Sequence, residues 1–339
     1  MANIKYGYVN SLSSVGSGTE LFEFIQNAED SMVPLIEGLF YEEEVLMLFS
    51  EPGKGKSILA SQMALSLTQG IPLFGYFGIP EKRPVFYMQL EGSPRQYMAR
   101  LDSMFGHYRC TRESLKNLYW AFWEGIYLMD VSKVNQAVEL IKMTGICQGV
   151  VIVDSIYNLG IGSMRDEIGA ENLRALCSRI KTELACSVIL LHHSHRPSYN
   201  KLNGQRIEED DAYYGSVFIK ALIDTSYQLN PEEKTGGCKL INKKDRNAHK
   251  PPKVIELEYD SATQINRLKN PPRKNCYERC LEFIEEMKRQ GREEFSIQDI
   301  MEATGHSKSA VHRAKDQMEQ AGLLLCQREE GKAMIWRII

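Results

Sequence analysis

The residues best suited to bind a phosphate group stand together in the segment Ser50-Glu-Pro-Gly-Lys-Gly-Lys56-Ser57. The segment nearly matches the spacing G-x-x-x-x-G-K-[ST], with Ser50 in place of the first glycine. Gly53 and Gly55 would let backbone N–H groups surround a phosphate, and a helix beginning there would add its positive partial charge. Lys56 would reach the β- and γ-phosphates of a nucleotide, and the Ser57 hydroxyl would bind Mg²⁺.

This spacing predicts a site for ATP with Mg²⁺, against the alternative of a glycine-rich turn that binds nothing. The predicted nucleotide-binding residues of the loop are Ser50, Glu51, Pro52, Gly53, Lys54, Gly55, Lys56, Ser57 and Ile58.

Two carboxylates follow apolar segments in places where a nucleotide site would use them. Asp154 ends Val-Val-Ile-Val-Asp, where it could hold the Mg²⁺ water shell beside Ser57. Glu91 ends Phe-Tyr-Met-Gln-Leu-Glu, where it could polarise the attacking water as a general base. The alternatives are a turn residue for Asp154 and a solvated strand end for Glu91.

Three histidines lie within four residues, at His192, His193 and His195. A zinc site is one interpretation, but neighbours in an extended segment point to opposite faces, and no cysteine stands nearby as a further ligand. A residue that senses the γ-phosphate at a strand tip fits better, and either His192 or His193 could fill that role.

Alternating apolar strands and helices are predicted to position these residues. Continuous apolar runs separated by helices indicate a parallel sheet covered on both faces, hence an α/β fold. The predicted strands are 44–49, 84–90, 118–122, 149–153 and 187–191, with later edge strands at 221–229, 237–242 and 253–258. The predicted helices are 56–68, 94–105, 134–144 and 170–184.

Composition and charge exclude several classes of protein. The chain has 339 residues, 43% of them hydrophobic and 25% charged, which is typical of globular domains and not of disordered or fibrous chains. A net charge of −3 argues against a surface that is cationic throughout. Eight scattered cysteines without a C-x-x-C pair predict reduced thiols in the cytoplasm. We find no apolar run of about 18 residues and expect no membrane span.

A stiff linker, Asn270-Pro-Pro-Arg-Lys274, marks a domain boundary. We predict a lead segment over residues 1–30 with a short helix at 19–28, a main domain over 31–270 and a smaller domain over 275–339. The last domain reads as a winged helix, with three helices, a Ser cap before the second and third, and a terminal hairpin. Its third helix could enter a DNA major groove through Lys308, His312, Arg313 and Lys315, or the domain could serve protein contacts only.

The order of the motifs resembles the RecA-like hexameric helicase family, especially plasmid RepA-type ATPases and the DnaB core. The resemblance covers roughly residues 30–265. It rests on Pro34-Leu-Ile-Glu-Gly-Leu-Phe40, the phosphate loop, Leu90-Glu91, Val153-Asp154-Ser155, Leu191-His192-His193 and Tyr214-Gly215-Ser216.

The resemblance implies a RecA-like P-loop NTPase whose catalytic residues are Lys56, Glu91 and the histidine at the strand tip. It also implies that Lys244 and Arg246 reach the nucleotide of a neighbouring subunit, in a ring that is expected to be a hexamer. An arginine supplied by a second subunit stabilises transition-state charge and makes hydrolysis depend on assembly. A hairpin tip in a basic segment is the alternative for Arg246.

In a ring of this kind two loops face the central channel, here about 157–167 and 195–214. The second loop offers Arg196, Lys201 and Arg206 to the phosphates of single-stranded DNA, although it also carries four consecutive acidic residues at 208–211. The stretch 239–274 adds ten basic residues against four acidic ones. We therefore expect an ATP-hydrolysing motor on nucleic acid, a DNA helicase of replication. The alternative is an ATP-switched DNA-binding regulator or helicase loader.

Overall fold

The computed structural model describes residues 33–122, 131–159, 167–194, 198–199, 206–207, 217–232, 236–247, 250–271, 276–320, 323–327 and 335–338. The helix predicted at 19–28 lies outside these residues. The chain divides into two units, Met1–Asn270 and Pro271–Ile339, which are described separately.

A nine-stranded sheet forms the centre of the first unit, in the order β13-β12-β11-β10-β3-β7-β6-β4-β5. The strands are β3 (Val45–Ser50), β4 (Val85–Gln89), β5 (Leu118–Phe122), β6 (Val150–Asp154), β7 (Ser187–His193), β10 (Thr225–Pro231), β11 (Cys238–Asp245), β12 (Val254–Asp260) and β13 (Ile265–Leu268). Short pairs β1 (Pro34–Ile36) with β2 (Phe40–Tyr41) and β8 (Ser198–Tyr199) with β9 (Arg206–Ile207) lie outside it.

Six adjacent strands, from β5 to β10, run parallel. The helices described in this unit are α1 (Lys56–Gln69), α2 (Pro94–Tyr108), α3 (Val131–Lys142), α4 (Glu167–Leu184) and α5 (Val217–Leu222). Every residue of β3, β4 and β6 is buried, because one apolar core packs on each face of the sheet. The predicted α/β fold with a mostly parallel sheet is confirmed.

The far edge of the sheet departs from the sequence prediction in one place. A single strand over 221–229 is wrong, because α5 extends to Leu222 and β10 begins only at Thr225. Strand β13, which sequence patterning missed, pairs with β12 through Leu257 and Leu268. From β10 to β13 the strands pair in antiparallel fashion, so the parallel sheet continues into a meander at this side.

In its described residues, the second unit holds three helices and a three-stranded antiparallel sheet. They are α6 (Cys276–Arg289), α7 (Ile297–Thr304), α8 (Lys308–Gln320), β14 (Glu294–Ser296), β15 (Leu324–Gln327) and β16 (Ile335–Ile338). Ser296 caps α7 as predicted: its hydroxyl accepts from the Asp299 N–H, while the Asp299 carboxylate accepts from the Ser296 N–H. Trp336 of β16 is fully buried in the core that these elements share.

In the part of the chain that the structure describes, every helix is too short or too polar to cross a lipid bilayer.

Candidate functional site

The phosphate loop connects β3 to α1 at the carboxyl edge of the parallel strands. Gly53 and Gly55 have φ angles of 73° and 91°, a region where a Cβ atom is strained, so both positions need glycine. Ser50 is the last residue of β3 and pairs with His193 of β7 in ordinary extended geometry. The position therefore does not require the glycine of the common motif.

The first turn of α1 has the properties of an anion-binding site. Within the described chain, no side chain caps this helix end, and the first turn holds no acidic residue. Its backbone N–H groups and the positive end of the helix dipole are therefore available to a phosphate.

Lys56 is 6% exposed and lies against the strand tips. Its Nζ donates to the carbonyls of Ser50 and Glu51, both at 3.1 Å, and contacts Nδ1 of His193 at 3.2 Å. Burial lowers the pKa of Lys56 to about 8, partly offset by the negative charges of Asp154 and Glu91. The ammonium is thus held at a cost by oxygens that a bound phosphate would replace.

His193 connects Lys56 to Glu91. Because the ammonium has only hydrogens to give, Nδ1 of His193 accepts and Nε2 carries the proton. Nε2 lies 3.7 Å from Oε2 of Glu91, which also lies 3.4 Å from the hydroxyl of Ser155. The hydrogen bond with His193 holds the pKa of Glu91 below its usual range, against the effect of partial burial. Glu91 is therefore an ionised carboxylate at the mouth of the site.

Asp154 is the most enclosed carboxylate of the site, at 1% exposure. Burial raises its pKa, and hydrogen bonds from Ser57 and Tyr87 act in the opposite direction. The Tyr87 hydroxyl donates to Oδ2 at 2.8 Å. A buried carboxylate and a hydroxyl at the start of α1 give two hard oxygen donors beside the phosphate loop.

All of these groups line one cavity of about 250 Å³. Its wall includes residues 53–58 together with Glu91, Asp154 and His193. Tyr97 and Arg100 of α2 complete the wall, and sequence reasoning missed them. The available signal was their i, i+3 spacing on a helix that begins three residues after Glu91. The Arg100 guanidinium lies 5.4 Å from the Tyr97 ring centre.

The structure separates the two candidate histidines. His193 lines the cavity, whereas the adjacent His192 is 0% exposed and lies inside the sheet. Alternation along β7 turns neighbouring side chains to opposite faces, so only one of the two can face the loop.

Lys244 and Arg246 contact the end of α5 within the same chain. Nζ of Lys244 donates to the carbonyls of Lys220 and Ile223, and burial lowers the pKa of Lys244. Arg246 donates to Oδ1 of Asp224 at 2.9 Å, with its side chain 47% exposed. The cavity beside Lys56 does not include either residue.

The predicted DNA contacts fall into three groups. Arg196 and Lys201 lie outside the described residues, and Arg206 lies in the short strand β9. Lys308 and Arg313 are exposed on α8, and His312 is half-buried there. Lys315 is only 12% exposed, because it pairs with Asp316 and Glu319 and lies over the Trp336 ring.

A glycine-rich loop before a helix, a buried lysine and two strand-end carboxylates define a P-loop nucleotide site on a RecA-like sheet. A protein-family model described as an AAA domain (AAA_25) matches residues 16–198. This match spans more than half of the chain, so the chain belongs to the AAA domain family and is a RecA-like P-loop ATPase.

A solved structure of the ATPase domain of a DnaB-like helicase shares this fold. It is 14% identical with a TM-score of 0.53, and the match covers 74% of this chain and 97% of that one. A KaiC-like protein, PH0186 from Pyrococcus horikoshii OT3, is 18% identical with a TM-score of 0.48, with coverages of 71% and 97%. At these identities the likeness concerns the fold alone. No curated protein sequence matches the chain.

Proposed function

We propose that this chain is an ATP-hydrolysing motor that acts on nucleic acid, a ring-forming DNA helicase of replication. The observation that carries the proposal is the convergence of Lys56, Glu91, Asp154 and His193 on one cavity. A site that only binds a nucleotide needs the phosphate loop. The additional ionised carboxylate, held by a histidine beside the phosphate-binding lysine, is what hydrolysis requires.

Lys56 and the N–H groups of the loop bind the phosphates and neutralise their charge. Ser57 and Asp154 would hold Mg²⁺, which would polarise the phosphoryl oxygens when bound. The donor set fits this ion: the described residues contain no cluster of three or more His, Cys, Asp or Glu side chains to cage a metal. Mg²⁺ in nucleotide sites uses one or two protein oxygens and completes its shell with phosphates and water.

Glu91 orients and polarises the attacking water. Its lowered pKa makes it a weak base in the resting site, so proton transfer belongs to the transition state, when the forming phosphate draws charge from the water. His193 touches both Lys56 and Glu91, and this double contact supports a role for His193, rather than His192, in sensing the γ-phosphate.

Arg246 would complete the site of a neighbouring subunit in a hexameric ring, with Lys244 beside it. Its half-exposed guanidinium is compatible with a contact across an interface. Lys308, His312 and Arg313 of α8 would contact duplex DNA if the second unit acts as a winged helix. Arg196, Lys201 and Arg206 would contact a single strand in the channel.

The first test replaces Glu91 with glutamine, which keeps the size of the side chain and removes its charge. We expect ATP hydrolysis to fall by about 100-fold or more, the contribution of a general base, with ATP binding retained. Glu113→Gln is the matched control, because Glu113 is an exposed surface residue paired with Lys116. Unchanged turnover in Glu91→Gln would refute the motor mechanism.

A second test uses a forked DNA duplex with a single-stranded tail. A helicase separates the strands only when it can hydrolyse ATP, so the Glu91→Gln protein must be inactive in this assay. Hydrolysis without strand separation by the unaltered protein would favour an ATP-switched regulator or helicase loader.

A further inference from the structure

Two buried tyrosines lie directly behind the groups that would hold the cation. Tyr87 of β4 is fully buried, and its neighbour Tyr97 of α2 is 3% exposed, with ring centres 5.6 Å apart. The phosphate-loop motif involves neither residue, and the roles assigned so far do not use them.

Tyr87 acts on Asp154 from the adjacent strand. Strands β4 and β6 pair Tyr87 with Ile152 and Gln89 with Asp154, so Tyr87 and Asp154 are diagonal neighbours on one face of the sheet. The hydroxyl donates to Oδ2 of Asp154 at 2.8 Å. This bond fixes the rotation of the carboxylate and engages one of its two oxygens.

The position of the Tyr87 hydroxyl is itself fixed by ring packing. Trp120 of β5, the register partner of Tyr87, stacks on its ring with centres 4.0 Å apart and planes 8° from parallel. Tyr97 packs against both rings, 4.7 Å from Trp120. A phenol held on two sides cannot swing away from the carboxylate.

Tyr97 reaches the other predicted cation ligand through a serine. The Ser61 hydroxyl donates to the Ser57 carbonyl at 2.6 Å and lies 2.7 Å from the Tyr97 hydroxyl. Since Ser61 has one hydrogen, Tyr97 must be the donor in the second contact. Ser57 and Asp154 are thus both supported from behind by tyrosine hydroxyls that point their hydrogens toward them.

We propose that Tyr87 is a positioning residue that orients the Asp154 carboxylate for a divalent cation, with Trp120 holding the Tyr87 ring in place. The proposal rests on the proposed function, in which Asp154 and Ser57 bind Mg²⁺. Partners that orient a metal ligand contribute to metal affinity without touching the metal.

The test measures cation binding rather than turnover. Mn²⁺ replaces Mg²⁺ as an EPR-visible probe and is titrated into the full chain saturated with ADP. We expect Tyr87→Phe to weaken Mn²⁺ binding about tenfold, the range seen when an outer partner of a metal ligand is removed. ADP affinity measured in EDTA should stay unchanged, because the phosphate loop is untouched. Trp120→Leu, which keeps the hydroxyl but frees the ring, should weaken Mn²⁺ binding less.

The matched control is Tyr227→Phe. Tyr227 is equally buried, and its hydroxyl donates to the Leu39 carbonyl at 3.2 Å, so this variant loses one buried hydrogen bond elsewhere in the same sheet. It should bind Mn²⁺ as the unaltered protein does. Wild-type Mn²⁺ affinity in Tyr87→Phe, or equal weakening in both variants, overturns the proposal and leaves the proposed function standing.

Asp154→Asn separates the two levels of the argument. If this variant binds Mn²⁺ as tightly as the unaltered protein–ADP complex, then Asp154 does not hold the cation. That result overturns the cation site of the proposed function together with the inference about Tyr87.

Discussion

Nucleotide affinity should fall as the pH rises through the pKa of Lys56. Burial places this pKa at about 8 in the nucleotide-free chain, far below the ordinary 10.5. Only the ammonium form attracts phosphate. By titration arithmetic it makes up about nine-tenths of the molecules at pH 7 and about one-tenth at pH 9. ADP affinity should therefore drop about tenfold over this range.

The sign of the effect follows from the direction of the shift. A bound polyphosphate returns negative charge to Lys56 and raises its pKa again, so binding takes up a proton. Near pH 8 the uptake should be about half a proton per site. The phosphates of ADP become more negative as the pH rises, which alone would strengthen binding, so a fall in affinity must come from the protein.

The assay is calorimetric titration of ADP in EDTA at several pH values, in two buffers with different ionisation heats. Lys56→Arg is the matched control, because a guanidinium stays charged throughout this range and should give a flat profile and no proton uptake. A flat profile in the unaltered protein, or an equal fall in Lys56→Arg, would refute the reasoning.

Three further predictions concern other parts of the chain. Arg246→Ala should abolish hydrolysis while keeping nucleotide binding, and mixing it with unaltered protein should lower the activity of the mixture more than in proportion, as measured by phosphate release. Proportional loss would exclude a shared site. Ser296→Ala should weaken α7 by about 1 kcal/mol through loss of its capping box, visible as faster amide hydrogen exchange in that helix, whereas Ser309→Ala should not. The double variant Lys308→Ala with Arg313→Ala should weaken duplex DNA binding by fluorescence anisotropy and reduce its salt dependence, with a slope change of about two. An unchanged slope would point to protein contacts for this helix.

Local signals in the sequence were sufficient for most elements of the first unit. Continuous apolar runs predicted β3, β4, β6 and β7, because a strand that is buried on both faces has no polar position to show. The glycines of the phosphate loop predicted its turn for an equally local reason, the backbone angles at positions 53 and 55.

The error at 221–229 has a physical cause. The segment is apolar enough for either a buried helix or a buried strand, and periodicity alone does not distinguish them over so few residues. The pairing of β10 with β3 decides where the strand begins. Strand β13 was missed because its four residues become a strand only through β12, with which they pair.

The sequence alone therefore determined the chemistry that is available: a phosphate loop, a lysine, two carboxylates and a pair of adjacent histidines. Only the tertiary structure selected His193 from that pair, set it between Lys56 and Glu91, and brought Tyr87, Tyr97 and Arg100 to the same site. The reason is that residue types and spacings act over a few positions. The register between strands, by contrast, is set by how separate segments bury their apolar faces together.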